Sequence, residues 1–451
     1  NMGKVLLTIL PGGESREFET GTSLIDALAD MGALLRTPCG GKGVCGKCGV
    51  LVESGAPERS AAEDRFFPSE PFSRLACRAT IESDMTVRVP AVRATSRPGK
   101  PLPARLREPA VALDIGTTTV QLSLVDGASG SVYPVASFLN PQRRHGHDVI
   151  ARIAASADPI VRGSLARVIR GAVAASIRAG LSESAMTPDD IGLVVVSGNT
   201  TMTHLFFDID VRPLGAYPYT ASELDYDRYA TLEELLPAAR IAALPSASAF
   251  LGGDLVGGLA ITDLAGVRSN AFFIDIGTNG EMFLRDGTGT VHATSCAMGP
   301  ALEGMNISSG MTADEGAINH FTVENGRLKP TVIGGGTPVG ICGTGIIDAL
   351  AIMLDNGVVR GNGAFDRAAA EASPVFSGRI ETQNGTTACL LGDGIAITQK
   401  DIRNIQLARG ASLAAARILL RDAAYEAERI EHVLVAGAFG ENLDIEDFRA
   451  L

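Results

Sequence analysis

The feature that most constrains this chain is a pattern that occurs twice. Val111-Ala-Leu-Asp114-Ile-Gly116-Thr117-Thr118-Thr119-Val-Gln-Leu-Ser-Leu-Val125 and Ala271-Phe-Phe-Ile-Asp275-Ile-Gly277-Thr278-Asn279-Gly280-Glu281-Met-Phe-Leu284 follow one plan. An apolar strand ends on aspartate, an Ile-Gly-Thr turn follows, and a second strand returns. Such a turn offers backbone N–H groups and threonine hydroxyls to phosphate oxygens, while the aspartate holds Mg2+ through water. Asp114 and Asp275 are therefore the catalytic candidates, and Gly116, Thr117, Thr118, Thr119, Gly277, Thr278 and Asn279 the phosphate-binding ones. One D-x-G-T would say little; two copies read as a duplicated phosphate hairpin.

A second feature is chemical. Arg36-Thr-Pro-Cys39-Gly-Gly-Lys-Gly-Val-Cys45-Gly-Lys-Cys48-Gly-Val50 packs three cysteines into one loop, and Cys77 follows further on. The run tracks C-x4-C-x2-C…C, with one extra residue in the first gap, so these four thiolates are candidate ligands of a two-iron cluster. Gly40, Gly41, Gly43, Gly46 and Gly49 are expected to supply positive φ angles and to aim N–H groups at sulfur. Lys42 and Lys47 soften the cluster's negative charge. A four-cysteine zinc site usually takes two C-x2-C knuckles, and this chain has one such pair. Disulfides fit poorly with an odd total of seven cysteines and an N-terminus without a signal peptide; Asn1-Met2-Gly3 reads as a tag remnant.

The flanks suit a small redox domain. Lys4 to Leu10 alternates into a strand, Pro11-Gly12-Gly13 turns, and Ser15 to Glu19 returns. Thr22 or Ser23 then caps a helix lined by Leu24, Leu28 and Met31 that stops at Gly32. Further strands are expected at Val50 to Glu53, Thr80 to Ile81 and Thr86 to Val89. Residues 3–90 thus resemble the plant and adrenodoxin-type 2Fe-2S ferredoxins, which implies an α+β β-grasp fold.

With 451 residues the chain exceeds one core. Its net charge of −12, with basic residues dispersed, makes nucleic acid and anionic membrane poor partners. No apolar run approaches a membrane span, and Cys296, Cys342 and Cys389 suit a reducing compartment, so the expectation is cytoplasmic. Residues 91–109, rich in proline and basic residues, read as an extended tether that lets the cluster domain swing, or as a passive spacer.

Beyond the tether the texture is α/β. Leu165, Val168, Ile169, Ala172, Val173, Ile177 and Leu181 form one stripe of a helix over 164–181. Thr187-Pro188 caps the next element, Leu193 to Val196 is a buried strand, and Ser197 to Thr201 is a polar turn. Asp254 either caps a helix or reaches a nucleotide. His145 and His147 suggest a metal or corrinoid contact, against the plainer reading of a solvated loop.

The paired hairpins resemble the phosphate motifs of the acetate and sugar kinase, Hsc70 and actin superfamily. That resemblance implies an α/β actin-like ATPase of two ribonuclease-H-like lobes, 110–268 and 269–451. Val433-Leu-Val-Ala-Gly437-Ala-Phe-Gly440 matches its adenosine motif, with Gly437-Ala438 where a glycine pair is usual. Cys342-Gly343-Thr344-Gly345-Ile-Ile-Asp348 matches its second connecting segment. The alternative for Gly343, Thr344 and Gly345 is a glycine-rich helix start without a ligand.

A 2Fe-2S domain ahead of such an ATPase is similar to the reductive activators of corrinoid proteins. Asn140-Pro-Gln-Arg-Arg-His-Gly-His-Asp148, Gly198-Asn-Thr-Thr-Met-Thr-His204, Gly299-Pro-Ala-Leu-Glu303-Gly and 391–408 carry that resemblance. It implies ATP and Mg2+ as cofactors beside the cluster, a corrinoid protein of a methyltransferase system and an external electron donor as partners, and ATP-driven reduction of Co(II) to Co(I). Homodimerisation stays open. Two departures stand out. Pro109 leads straight into the first hairpin, without the extra small domain of characterised members, and the chain stops soon after the adenosine motif, before a closing helix and strand. The rival readings are an activator of a radical dehydratase and an ATP-binding redox sensor.

Overall fold

The computed structural model describes residues 3–33, 35–90, 101–146, 148–182, 184–229, 236–383, 385–392, 394–437 and 443–450. It divides into two compact units, Asn1–Thr37 with Gly41–Ala260, and Pro38–Gly40 with Ile261–Leu451.

The first unit opens with a β-grasp. Strand β1 (Lys4–Leu10) pairs antiparallel with β2 (Glu14–Glu19), and β3 (Thr22–Ser23) leads into α1 (Leu24–Asp30). Strands β4 (Gly49–Ser54) and β5 (Ser73–Leu75) flank α2 (Ala61–Phe66), β6 (Thr80–Ile81) pairs with β3, and β7 (Met85–Arg88) runs parallel to β1. The sheet order β2-β1-β7-β4-β5 places this domain's first and last long strands, β1 and β7, side by side. Leu24 and Leu28 of α1 are fully buried against Leu7, Val52 and Val87, each contributing roughly 1.5–3 kcal/mol.

The same unit continues with a second sheet of β8 (Pro109–Ile115), β9 (Thr119–Asp126), β10 (Ser131–Leu139), β11 (Leu193–Gly198) and β12 (Arg240–Ala243). The order is β10-β9-β8-β11-β12: three antiparallel strands, then two parallel ones. Helices α3 (Val149–Ala155), α4 (Pro159–Leu181), α5 (Thr200–Phe206) and α6 (Gly253–Leu264) complete it. Leu165, Ile169, Val173 and Ile177 of α4 are fully buried, and Val168 is only half-buried. The helix starts five residues before the expected start at Ser164 because Asp158 caps it, accepting from Ile160 N, and Pro159 occupies its first turn.

Two expectations are corrected here. The tether was expected to span 91–109, but its last third is docked. Leu106 is buried, Ala104 O accepts from Ala185 N at 2.8 Å, and Arg107 N donates to Asp126 at 2.9 Å. The prolines only hid a segment that finds its partners far along the chain. Residues 91–100 lie outside the described residues. The polar turn expected at Ser197 to Thr201 is mostly regular structure: Ser197 and Gly198 end β11, Asn199 caps α5 by accepting from Met202 N, and Thr200 and Thr201 are buried in the helix.

The second unit repeats the plan. Strands β13 (Ala271–Ile276), β14 (Asn279–Arg285) and β15 (Val291–Ala297) are antiparallel. Next come β16 (Ala317–Glu324), β17 (Arg327–Val332) and β18 (Gly340–Ile341) in a small sheet, then α7 (Gly343–Asp355) and α8 (Arg367–Ala372). Strands β19 (Ile380–Gln383), β20 (Thr386–Gly392) and β21 (Ile395–Thr398) form a meander before α9 (Gln399–Asp422), β22 (His432–Gly437) and α10 (Ile445–Ala450). Strand β22 joins β13 in parallel, giving β15-β14-β13-β22. Three antiparallel strands followed by a parallel one reproduce β10-β9-β8-β11, so the sequence repeat is a repeat of topology.

Candidate active site: two hairpins and a thiol loop

At the first hairpin Ile115 pairs with Val120, leaving Gly116 to Thr119 to turn the chain. A Cβ at Gly116 would lie 2.5 Å from Thr119 O, so only glycine closes this turn. The turn is braced from behind by residues distant in sequence. Asn140, fully buried, donates from Nδ2 to Gly116 O at 2.9 Å, and its N–H donates to Thr118 O at 2.8 Å. Asn199 Nδ2 donates to Thr117 Oγ1 at 3.0 Å. Arg152, also fully buried, donates to Thr117 O at 2.6 Å and to Gly146 O at 2.9 Å, with Met202 Sδ 3.0 Å away. Burial pulls its guanidinium down to about 10, yet it stays cationic at neutral pH beneath a loop suited to phosphate.

The hydroxyls of the turn differ. That of Thr117 is engaged by Asn199, whereas Thr119 Oγ1 is buried without a hydrogen-bond partner. Asp114, on the exposed side of β8, pairs with Gln121 across the hairpin.

The second hairpin is one residue tighter, since Ile276 pairs with Gly280. Asp275 therefore faces Glu281, a buried carboxylate, on one face of the sheet. Like charges directly opposite repel, and Ser295 Oγ donates to Glu281 at 3.3 Å. Thr278 Oγ1 donates to Glu303 at 3.0 Å. Burial pushes the Glu303 carboxyl up to about 7, opposed by the Thr278 bond and helped by the charge of Asp275. Among the described residues, no three His, Cys, Asp or Glu side chains gather closely enough to ligate a metal ion directly.

The remaining sequence candidates have packing partners. Cys342 caps α7, Thr344 Oγ1 donates to Asn319 O at 2.7 Å, and a Cβ at Gly345 would lie 2.5 Å from Ile318 O. Close packing of α7 on β16 thus accounts for this glycine without a ligand. Gly437 ends β22, where a Cβ would lie 2.3 Å from Ile276 O at the base of the second hairpin. The rest of the adenosine motif, 438–442, lies outside the described residues. Asp254 stands in the first turn of α6 and accepts from Leu255 N at 2.8 Å; burial raises its carboxyl. His145 is half-buried, 3.5 Å from Ser164 Oγ, and His147 lies outside the described residues.

In the thiol loop, Cys39, Cys45 and Cys48 are buried and Cys77 is half-buried. Cys48 Sγ donates to Cys77 Sγ at 3.3 Å; that bond and burial push the Cys48 thiol far up. Two sulfurs this close can share one metal atom, and binding would release the proton between them. A two-iron cluster spreads four thiolates over two metal atoms, so it does not require the tight trio that a single ion would. Gly40, Gly41, Gly43 and Gly46 have φ of 67 to 79°, as a loop curling around such a group requires. Gly49 departs from this expectation: its φ is not positive, and a Cβ there would lie 2.6 Å from the Phe67 ring. The residues present fit a 2Fe-2S cluster.

Asn140, Asn199, Glu303 and Arg152 carry no local sequence pattern that marks a role at the hairpins. Their signal was weak, since each acts on a hairpin from another part of the chain.

Comparison with known proteins follows this order of parts. Residues 7–82 match the 2Fe-2S iron-sulfur cluster binding domain, 109–266 the RACo middle region, and 269–451 the C-terminal ASKHA domain of RACo. The middle-region match begins at Pro109, so the strand that directly follows the tether opens that region. The corrinoid activation enzyme RamQ of Eubacterium limosum is 31% identical over 350 residues, 75% of this chain and 58% of that protein. The [Co(II) methylated amine-specific corrinoid protein] reductase of Methanosarcina barkeri is 29% identical over 301 residues, 57% of this chain and 50% of that protein. The chain thus spans 58% and 50% of the length of these two curated relatives. A solved structure of a reductive activator for corrinoid, iron-sulfur protein superposes with a TM-score of 0.69 at 27% identity, covering 98% of this chain and 87% of that one. No helix among the described residues is long and apolar enough to cross a membrane. With its cluster-binding domain, middle region and C-terminal ASKHA domain in that order, the chain belongs to the RACo family.

Proposed function

We propose that this chain is an ATP-dependent reductive activator of a corrinoid protein. Cys39, Cys45, Cys48 and Cys77 would hold a 2Fe-2S cluster that would supply one electron to Co(II) of the partner, giving Co(I) for methyl transfer, while ATP and water would become ADP and phosphate. Residues 3–90 would be the redox domain, and 110–268 and 269–451 the two ATPase lobes. The observation that carries this reading is the coexistence, in one chain, of a close thiol pair at Cys48 and Cys77 with two D-I-G-T hairpins of equal topology.

When bound, the cluster supplies one electron at about −400 mV, which does not easily reach the Co(II)/Co(I) couple. The rest falls to the protein's own groups. Gly116 to Thr119, with Thr278 and Asn279, would bind phosphates, Thr119 through its unpartnered hydroxyl. Asp114 and Asp275 would hold Mg2+ through water, with Glu281 adding charge beside Asp275. Glu303, close to neutral pH in its titration, is suited to take a proton from attacking water. Nucleotide turnover can drive the electron only if the nucleotide-bound and nucleotide-free forms bind the partner differently.

The test is to mix dithionite-reduced protein with Co(II) corrinoid proteins from methyltransferase systems and follow Co(I) absorbance with and without MgATP. A Co(I) signal that needs MgATP and is lost in Asp275→Ala is expected. No MgATP-dependent signal with any such partner sinks the reading.

A further inference from the structure

The turn that braces the first hairpin also reaches the thiol loop. Asn140 holds Gly116 O and Thr118 O, then accepts from Gln142 N at 3.0 Å to start the 3-10 turn Pro141–His145. Gln142 is fully buried and donates to Leu165 O at 3.1 Å, which pins the turn to α4. Arg143, half-buried, points the other way. A carbon built on Gly41 would lie 3.4 Å from Arg143 Nη1 and 3.8 Å from Cβ of Cys77. A cavity lined by Ile25, Ala29, Leu35, Phe138, Pro141 and Arg143 lies where α1 of the β-grasp meets this same turn. The guanidinium therefore stands over the backbone of the thiol loop, three residues from an asparagine that grips the phosphate hairpin.

From this geometry we propose that Arg143 is the positioning residue through which occupancy of the first hairpin sets the reduction potential of the group held by the thiol loop. The inference rests on the reading of the hairpin as a nucleotide site and of the loop as a 2Fe-2S site. Reduction adds one negative charge to that group, so a cation nearby favours the reduced form. A ligand that draws the Gly116–Thr118 backbone toward itself pulls on both Asn140 bonds, and the short turn transmits the displacement to Arg143. The coupling needs no rearrangement of the sheet, only a rigid turn with a hydrogen-bonded handle at one end and a charge at the other.

The experiment is a dye-equilibrated redox titration of the iron-loaded chain, read by visible and EPR spectra, without corrinoid protein, with and without MgATP, for wild type, Arg143→Gln and Arg143→Lys. The reduced-to-oxidised ratio at fixed potential should fall about tenfold in Arg143→Gln, about 59 mV, and stay within about threefold of wild type in Arg143→Lys, which keeps the charge. MgATP should shift the wild-type midpoint and leave that of Arg143→Gln in place. Equal midpoints for wild type and Arg143→Gln overturn the proposal, and so does a MgATP shift that survives in Arg143→Gln or is missing in wild type. Loss of iron loading in both variants would make Arg143 a purely structural residue and also overturns it. A corrinoid assay that fails while these titrations succeed would count against the proposed function alone.

Discussion

Arg152 is the most informative residue to remove. Arg152→Met fills a similar volume but leaves the carbonyls of Thr117 and Gly146 without their donors. An orphaned buried acceptor costs about 1–3 kcal/mol, so about 2–6 kcal/mol is lost. Against this, the substitution removes a buried cation whose titration is pulled down to about 10 by desolvation, a relief of about 3 kcal/mol. The two effects nearly offset one another in global stability. The local effect does not cancel, because the bond to Thr117 O is a charge-assisted contact worth about 1.5–3 kcal/mol to the turn itself. Amide hydrogen exchange in a peptide covering 114–122 should therefore speed up roughly 10- to 150-fold, while the urea midpoint moves little. Arg152→Lys should fall between, since a point ammonium cannot reproduce the planar fork that reaches both carbonyls. Unchanged exchange in Arg152→Met, with unchanged ATP affinity by calorimetry, would refute the claim that this buried cation sets the hairpin.

Two further outcomes follow from the same geometry. The Glu303 carboxyl is raised to about 7 in the fold from an ordinary 4.5, so its contribution is full below about pH 4.5 and lost as pH rises through 7. After allowance for partial exposure, the metal-free protein should lose on the order of 2 kcal/mol over that range in urea unfolding, and Glu303→Gln should flatten the profile; parallel profiles would remove Glu303 as a buried acid. Thr119→Val replaces a hydroxyl that has no partner, so stability without ligand should hold or rise by about 1 kcal/mol while ATP affinity falls about tenfold, as calorimetry would show; unchanged affinity would take Thr119 out of the site.

Much of the fold was legible because local patterns carry it. The apolar-Asp-Ile-Gly-Thr repeat placed β8, β9, β13 and β14, and the stripe from Leu165 to Leu181 placed α4. What misled was segments whose local character and tertiary role diverge. Residues 104–109 look like a tether and are pinned by Ala185, Met186 and Asp126. Thr200 and Thr201 look like an exposed turn and are buried in α5. Gly49 looks like its loop neighbours and instead makes room for Phe67.

The sequence by itself determined the cysteine spacing, the two hairpins and hence the order of a ferredoxin-like module before a duplicated hairpin fold, since period, turn chemistry and thiol spacing are local quantities. Only the tertiary structure decided what stands behind the hairpins. Asn140, Arg152 and Asn199 reach the Gly116–Thr117 turn from 24, 35 and 82 residues away, and Glu303 reaches Thr278 from 25. A hydrogen bond across such distances leaves no periodic trace. It exists because the sheet order brings those chain segments together, and a buried polar group must then find its partner there.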